Sequence, residues 1–79
     1  MYSDSEHKAL YERSKNLLTA PTASTEATAL QQIKELSDVI PYHEWRYYVL
    51  DQPILSDFEY DTLFKKLESL EQSFPQLLQ

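Results

Sequence analysis

The sequence predicts a small all-α domain, and three observations carry that expectation. The 79 residues contain no glycine, which removes the preferred residue of tight type I′ and II′ hairpin turns. Three segments place apolar residues at helical spacing with polar residues between them. Each segment is preceded by a Ser, Thr or Asp, the side chains that cap helix N-termini best.

The first helix is expected from about residue 4 to 18. Leu10 and Leu17, with Tyr11 and Leu18 beside them, recur at heptad spacing, and Lys, Glu and Arg fill the other positions. Ser3 or Asp4 is placed to cap it. Thr19-Ala-Pro-Thr-Ala-Ser-Thr then reads as a loop, because Pro21 disfavours helix at Ala20 and the hydroxyls compete for backbone groups. Ser24 or Thr25 opens the second helix, expected over about 25–50. Ile33, Leu36, Val39, Ile40, His43, Tyr47 and Leu50 share one stripe at about 100° per residue. Pro41 interrupts this stripe, and a mid-helix proline costs about 3 kcal/mol unless the helix yields, so a kink or break is expected near Ser37–Pro41. Asp51-Gln-Pro-Ile-Leu forms a short extended connector. Ser56-Asp-Phe-Glu is a capping box opening a third helix over about 57–73. There Tyr60, Leu63, Phe64, Leu67 and Leu70 form the apolar stripe, and Asp61 and Lys65 are set for an i,i+4 pair. Ser73-Phe74-Pro75 stops it. The predicted architecture is thus a helical hairpin plus an N-terminal helix, one domain over residues 1–79. The apolar ending Phe74-Pro-Gln-Leu-Leu-Gln points to a fragment of a longer chain.

Composition excludes several functions. Thirteen acidic against seven basic side chains give a formal charge of −6, a poor match to nucleic-acid phosphates. The absence of cysteine removes disulfides and thiolate zinc sites, and the absence of glycine removes the phosphate-cradling loops that need close backbone approach. No apolar run is long enough to span a membrane, and Met-Tyr-Ser-Asp-Ser-Glu lacks the features of a secretory leader. A cytoplasmic location is expected. His43 and His7 lie far apart in sequence, so no metal site is expected, and nothing places a nucleophile beside a base.

Two features strain a purely structural reading. Tyr42-His-Glu-Trp-Arg-Tyr-Tyr-Val-Leu is apolar nearly all round, and such a helix needs cover on every side. Either the N-terminal helix closes over it, or an aromatic surface is left for a ligand or partner. Asp57, Tyr60 and Asp61 fall at i, i+3 and i+4 beside the apolar stripe of the third helix. Acidic residues there complement the helix dipole by about 0.3–1 kcal/mol, yet two carboxylates and a phenol also suit a planar or cationic, hydroxyl-bearing ligand. Phe58 lies off the stripe and either packs under the connector or faces a partner.

From His43 onward the residues carry a denser pattern. His43-Glu-Trp-Arg-Tyr-Tyr-Val-Leu-Asp-Gln-Pro, then Ser56-Asp-Phe-Glu-Tyr-Asp, a Leu-rich helix and Phe74-Pro-Gln-Leu resemble the N-terminal Ia domain of bacterial NAD-dependent DNA ligases. The dense match covers residues 43–77, and the first 30 residues are less typical. Phe58 stands where a small residue is common and Phe74 where His is common. The resemblance implies binding of the nicotinamide mononucleotide (NMN) half of NAD, with NMN held as leaving group while the ligase adenylates itself before sealing nicks in DNA. It implies that Tyr47, Tyr48, Asp57, Tyr60 and Asp61, with His43 beside them, bind this cofactor, and that none of them is nucleophile or base. Arg46, His43 and the tyrosine hydroxyls are candidates to meet its phosphate. It further implies a nucleotidyltransferase domain of the same chain as partner, no direct DNA contact from this segment, and Mg and Zn only in other domains. Without glycine this segment lacks the Lys-x-Asp-Gly adenylation motif, so it is not expected to ligate alone. The competing expectation is a helical protein-interaction domain with an exposed aromatic surface and no nucleotide.

Overall fold

The computed structural model describes residues 2–77. It contains three α-helices, α1 (Asp4–Thr19), α2 (Glu26–Tyr48) and α3 (Asp57–Ser73), and a closing 3-10 turn at Pro75–Leu77. Leu78 and Gln79, the end of the apolar tail, lie outside the described residues. The all-α class and the three predicted helices are present. No helix among the described residues is long and apolar enough to cross a membrane.

Local chemistry sets the helix starts. Ser3 with Glu6, and Ser56 with Glu59, form complete capping boxes, each hydroxyl accepting from the N3 amide while the glutamate accepts from the cap amide. Thr25 caps α2 by accepting from the Thr28 amide. The end of α2 is less regular. Its carbonyls at Trp45 and Arg46 are taken by the Leu50 and Gln52 amides, and Asp51 enters the left-handed region at φ 54. A glycine commonly fills such a position. In this glycine-free chain an Asp does so, one of the few residues that tolerate it. Arg46 locks the turn, its Nε donating to the Gln52 carbonyl at 2.9 Å.

Of the kink or break expected near Ser37–Pro41, no break forms, and α2 is continuous through Pro41. Pro41 and Ser37 are both exposed, so the Ser37 carbonyl that loses its amide donor faces water. On the opposite side Leu36, Val39, Ile40, Tyr42 and His43 are buried, and their packing holds the helix together across the missing bond.

The core collects Leu10 and Leu17 from α1, Ala29, Leu36, Val39 and Ile40 from α2, and Leu63 and Leu70 from α3. Three expectations about the stripes need correction, one of them being Phe64 of α3, expected on the apolar stripe but exposed. Tyr42, expected off the core stripe, is fully buried. Its cover is aromatic, for the Tyr2 ring lies 5.0 Å from both Tyr42 and Trp45, and His7 Nδ1 and the Tyr42 hydroxyl are hydrogen-bonded at 2.6 Å. The N-terminal helix therefore does close one flank of the aromatic segment. Tyr47, expected on the core stripe, is 51% exposed, because the core ends at His43 and the last turn of α2 stands over a cleft.

Lys66 was not anticipated in the interior. It lies on the same face of α3 as Leu63 and Leu70, and it is buried. Its ammonium donates to the Leu17 carbonyl at 2.7 Å and to the Ala20 carbonyl, satisfying orphan acceptors at the end of α1. Burial pulls its pKa below the ordinary lysine value. Lys66→Met keeps most of the volume and removes the donor. It is expected to destabilise the domain by about 1–3 kcal/mol in urea denaturation, with amide exchange accelerating at the α1–α2 loop first.

Candidate functional site

A cleft of about 390 Å³ opens between the last turns of α2, the connector and the first turn of α3. Its α2 wall carries His43, Glu44, Tyr47 and Tyr48, and its α3 wall carries Asp57, Tyr60 and Asp61. Pro53–Ser56 joins the two, anchored by the buried Leu55. All six residues singled out in the sequence lie in this one cleft. The volume lies within the usual range for small-molecule pockets.

Both walls use the same spacing. Glu44, Tyr47 and Tyr48 stand at i, i+3 and i+4, as do Asp57, Tyr60 and Asp61, so each triplet shares one helix face. Glu44 was missed by sequence reasoning, although this repeated spacing is the signal that could have found it. The two walls touch directly, the Tyr60 hydroxyl donating to Glu44 Oε1 at 2.9 Å. Partial burial, reinforced by this carboxylate, pushes the Tyr60 pKa up to about 12, so Tyr60 is a proton-bearing donor at neutral pH. The Tyr47 and Tyr48 rings meet edge-to-face at 4.9 Å. Tyr48 is 78% exposed and forms the outer lip.

Charge in the cleft is of one sign. Glu44, Asp57 and Asp61 contribute carboxylates, and no Lys or Arg is among the lining residues. Asp61 pairs at 3.2 Å with Lys65, as its spacing predicts, but both side chains are largely exposed. Arg46 does not serve the cleft. It is held on the connector carbonyl, with its guanidinium 5.9 Å from the Tyr42 ring centre. Arg46 is not among the residues that line the cleft. No group of three or more His, Asp or Glu side chains suited to a metal occurs among the described residues.

His43 lines the cleft, and its ring is held from α1. Ser14 Oγ donates its single proton to the Leu10 carbonyl at 2.6 Å, so it must accept from His43 Nε2 at 2.7 Å. This sets the Nε2–H tautomer. Nδ1 is left deprotonated, buried and without a partner. Burial, with the Arg46 charge adding to it, lowers the His43 pKa to about 4, so the ring is neutral. The unfolded chain binds a proton at His43 below about 6.5 whereas the folded chain does not until about 4. Stability is therefore complete above pH 6.5 and lost as pH falls through that window, by roughly 3 kcal/mol in all. Urea titrations at descending pH are expected to show this slope, and His43→Gln to flatten it.

A three-helix fold with a carboxylate- and tyrosine-lined cleft defines a small binding domain, and comparison with known proteins specifies its kind. A family model described as "DNA ligase-like, N-terminal NAD+-binding domain" matches residues 26–79. That span includes all of α2, the connector and α3. A DNA ligase of Sulfurihydrogenibium azorense is 40% identical over 79 residues, 99% of this chain and 11% of the relative. A DNA ligase of Persephonella marina is 56% identical over 46 residues, 58% of this chain and 6% of the relative. One from Rubrobacter xylanophilus is 48% identical over 58 residues, 73% of this chain and 8% of the relative. No solved structure matches. The chain belongs to the family of N-terminal NAD+-binding domains of DNA ligases, and it spans about 11% of the length of relatives that match nearly all of it.

Proposed function

We propose that this chain is the domain of a bacterial NAD-dependent DNA ligase that grips the NMN half of NAD and presents it as leaving group during self-adenylation. The observation that supports this most directly is the convergence of two tyrosines from α2 with Asp57, Tyr60 and Asp61 from α3 in one acidic cleft. Nicotinamide in NAD is a cationic planar ring. A tyrosine face attracts such a ring by about 0.5–2 kcal/mol, more as water is excluded. The Asp57 and Asp61 carboxylates accept hydrogen bonds from ribose hydroxyls or the carboxamide, and they favour a positive ring over a neutral one.

The cleft's charge also orients the ligand. Three carboxylates repel a phosphate, and neither Arg46 nor His43 is available to meet it. The ring and ribose would sit inward, and the phosphate would point out toward the rest of the ligase. There a lysine of the nucleotidyltransferase domain would attack the α-phosphate of the adenylyl half. The P–N bond forms, the bond to the NMN phosphate breaks, and NMN departs. This chain acts by positioning. Magnesium and zinc, and the contacts with DNA, are assigned to other domains. The charge of this one agrees: of its seven basic side chains, Arg13, Lys15 and Lys65 are ion-paired and Lys66 is buried.

One observation favours a second reading. Phe58 is 80% exposed and Val49 69% exposed, so Phe58 does not pack under the connector. In a protein-interaction domain this rim would bind a partner without any nucleotide. In the leading proposal the same rim faces the nucleotidyltransferase domain. In the full ligase, Tyr47→Ala, Asp57→Ala and Asp61→Ala are each expected to slow adenylation from NAD by at least about 100-fold, while sealing of pre-adenylated nicked DNA survives. Equal loss of both steps in a folded enzyme would falsify the role. A blank NMN titration of both chain and ligase would leave the interaction domain as the better account.

A further inference from the structure

We infer that α1 is the positioning element of the cleft, setting the two walls against each other through Ser14 and Lys15. This inference rests on the NMN-site reading. Helix α1 lies outside the span matched by the family model, and none of its residues lines the cleft. Yet two successive residues of it reach the two walls separately. Neighbours on a helix point about 100° apart, which lets one side chain face α2 and the next face α3.

On the α2 side, fully buried Ser14 accepts from His43 Nε2 at 2.7 Å. The bond fixes both the ring's orientation and its tautomer one residue before Glu44 and four before Tyr47. On the α3 side, Lys15 Nζ donates to Glu59 Oε2 at 2.8 Å. The other oxygen, Glu59 Oε1, accepts from the Ser56 amide at 2.9 Å. The carboxylate that caps α3 is thereby tied to α1, and the turn that carries Asp57, Tyr60 and Asp61 is tied with it. Lys15 also lies 5.5 Å from the centre of the Tyr11 ring, which limits its swing.

The two contacts differ in character. The Ser14–His43 bond is buried and insensitive to salt. The Lys15–Glu59 pair is partly exposed, with side-chain exposures of 42% and 29%, and is screened at high ionic strength. That difference separates positioning from mere support of the fold.

The test is an NMN titration of this chain, followed by amide and imidazole nitrogen chemical shifts, alongside thermal denaturation. Ser14→Ala and Lys15→Met are each expected to weaken NMN binding about 3- to 10-fold well below the melting temperature. Lys15→Arg should restore most of the affinity. The Lys15→Met deficit should shrink at molar salt, where the screening length is about 3 Å, whereas the Ser14→Ala deficit should persist. In free Ser14→Ala the His43 ring is expected to lose its single Nε2–H signature. Lys15→Met sits at a partly exposed position and keeps the test open should Ser14→Ala lower stability. Variants that bind NMN as tightly as wild type would overturn this inference alone. Wild-type chain and full ligase that both fail to bind NMN would overturn the site reading and this inference together.

Discussion

The geometry of this domain depends on one shared carboxylate. Glu59 is the N3 residue of the α3 capping box, and its Oε1 accepts from the Ser56 amide. Its Oε2 accepts from Lys15 on α1. A local capping contact, decided by four residues in a row, is thus also a tertiary clamp between two helices, through residues 44 apart in the chain. Lys15 holds the Glu59 carboxyl below the usual carboxylate range, the Ser56 amide adding to it, and Glu59 in turn raises Lys15. Each charge favours the other across the neutral pH range, linking the first turn of α3 to α1.

The same economy recurs at the two ends of the small core. Lys66 closes the end of α1 from α3, and Arg46 closes the end of α2 through the connector. Neither site uses glycine. A chain without glycine cannot end its helices in the commonest way, and here cationic side chains and one left-handed Asp take over that work. The consequence for function is direct. Five of the seven basic side chains are engaged at helix ends or in ion pairs, none of the seven lines the cleft, and the cleft carries carboxylates and phenols. That lining suits a cationic, hydroxyl-rich ligand better than an anionic one, which is the basis of the proposed function.

Much of this was legible in the sequence. Helix starts follow from Ser3, Thr25 and Ser56, because capping is a contact between residues three apart. The α3 wall of the cleft, Asp57, Tyr60 and Asp61, was legible for the same reason. The α2 wall was half legible. Tyr47 and Tyr48 stood out by type, but Glu44 did not, since its significance comes from Tyr60 on another helix. Pro41 was legible as a weak point of α2 but not as a place where the helix stays unbroken, because the cost of a proline inside a helix depends on the surroundings of the freed carbonyl. Here Ser37 and Pro41 both lie on the exposed side of α2.

By itself the sequence determined the class of fold, the number and starts of the helices, and which residues would share a helix face. Those are consequences of period, propensity and short-range hydrogen bonding. Only the tertiary structure decided that Tyr42 is core and Tyr47 is not, that Lys66 is buried, that Arg46 turns away from the cleft, and that His43 is a neutral Nε2–H imidazole. Each of these outcomes turns on a partner far off in the chain: Tyr2 and His7 for Tyr42, the end of α1 for Lys66, Ser14 for His43. No local spacing encodes such a partner, because burial and proton position are properties of packed neighbours.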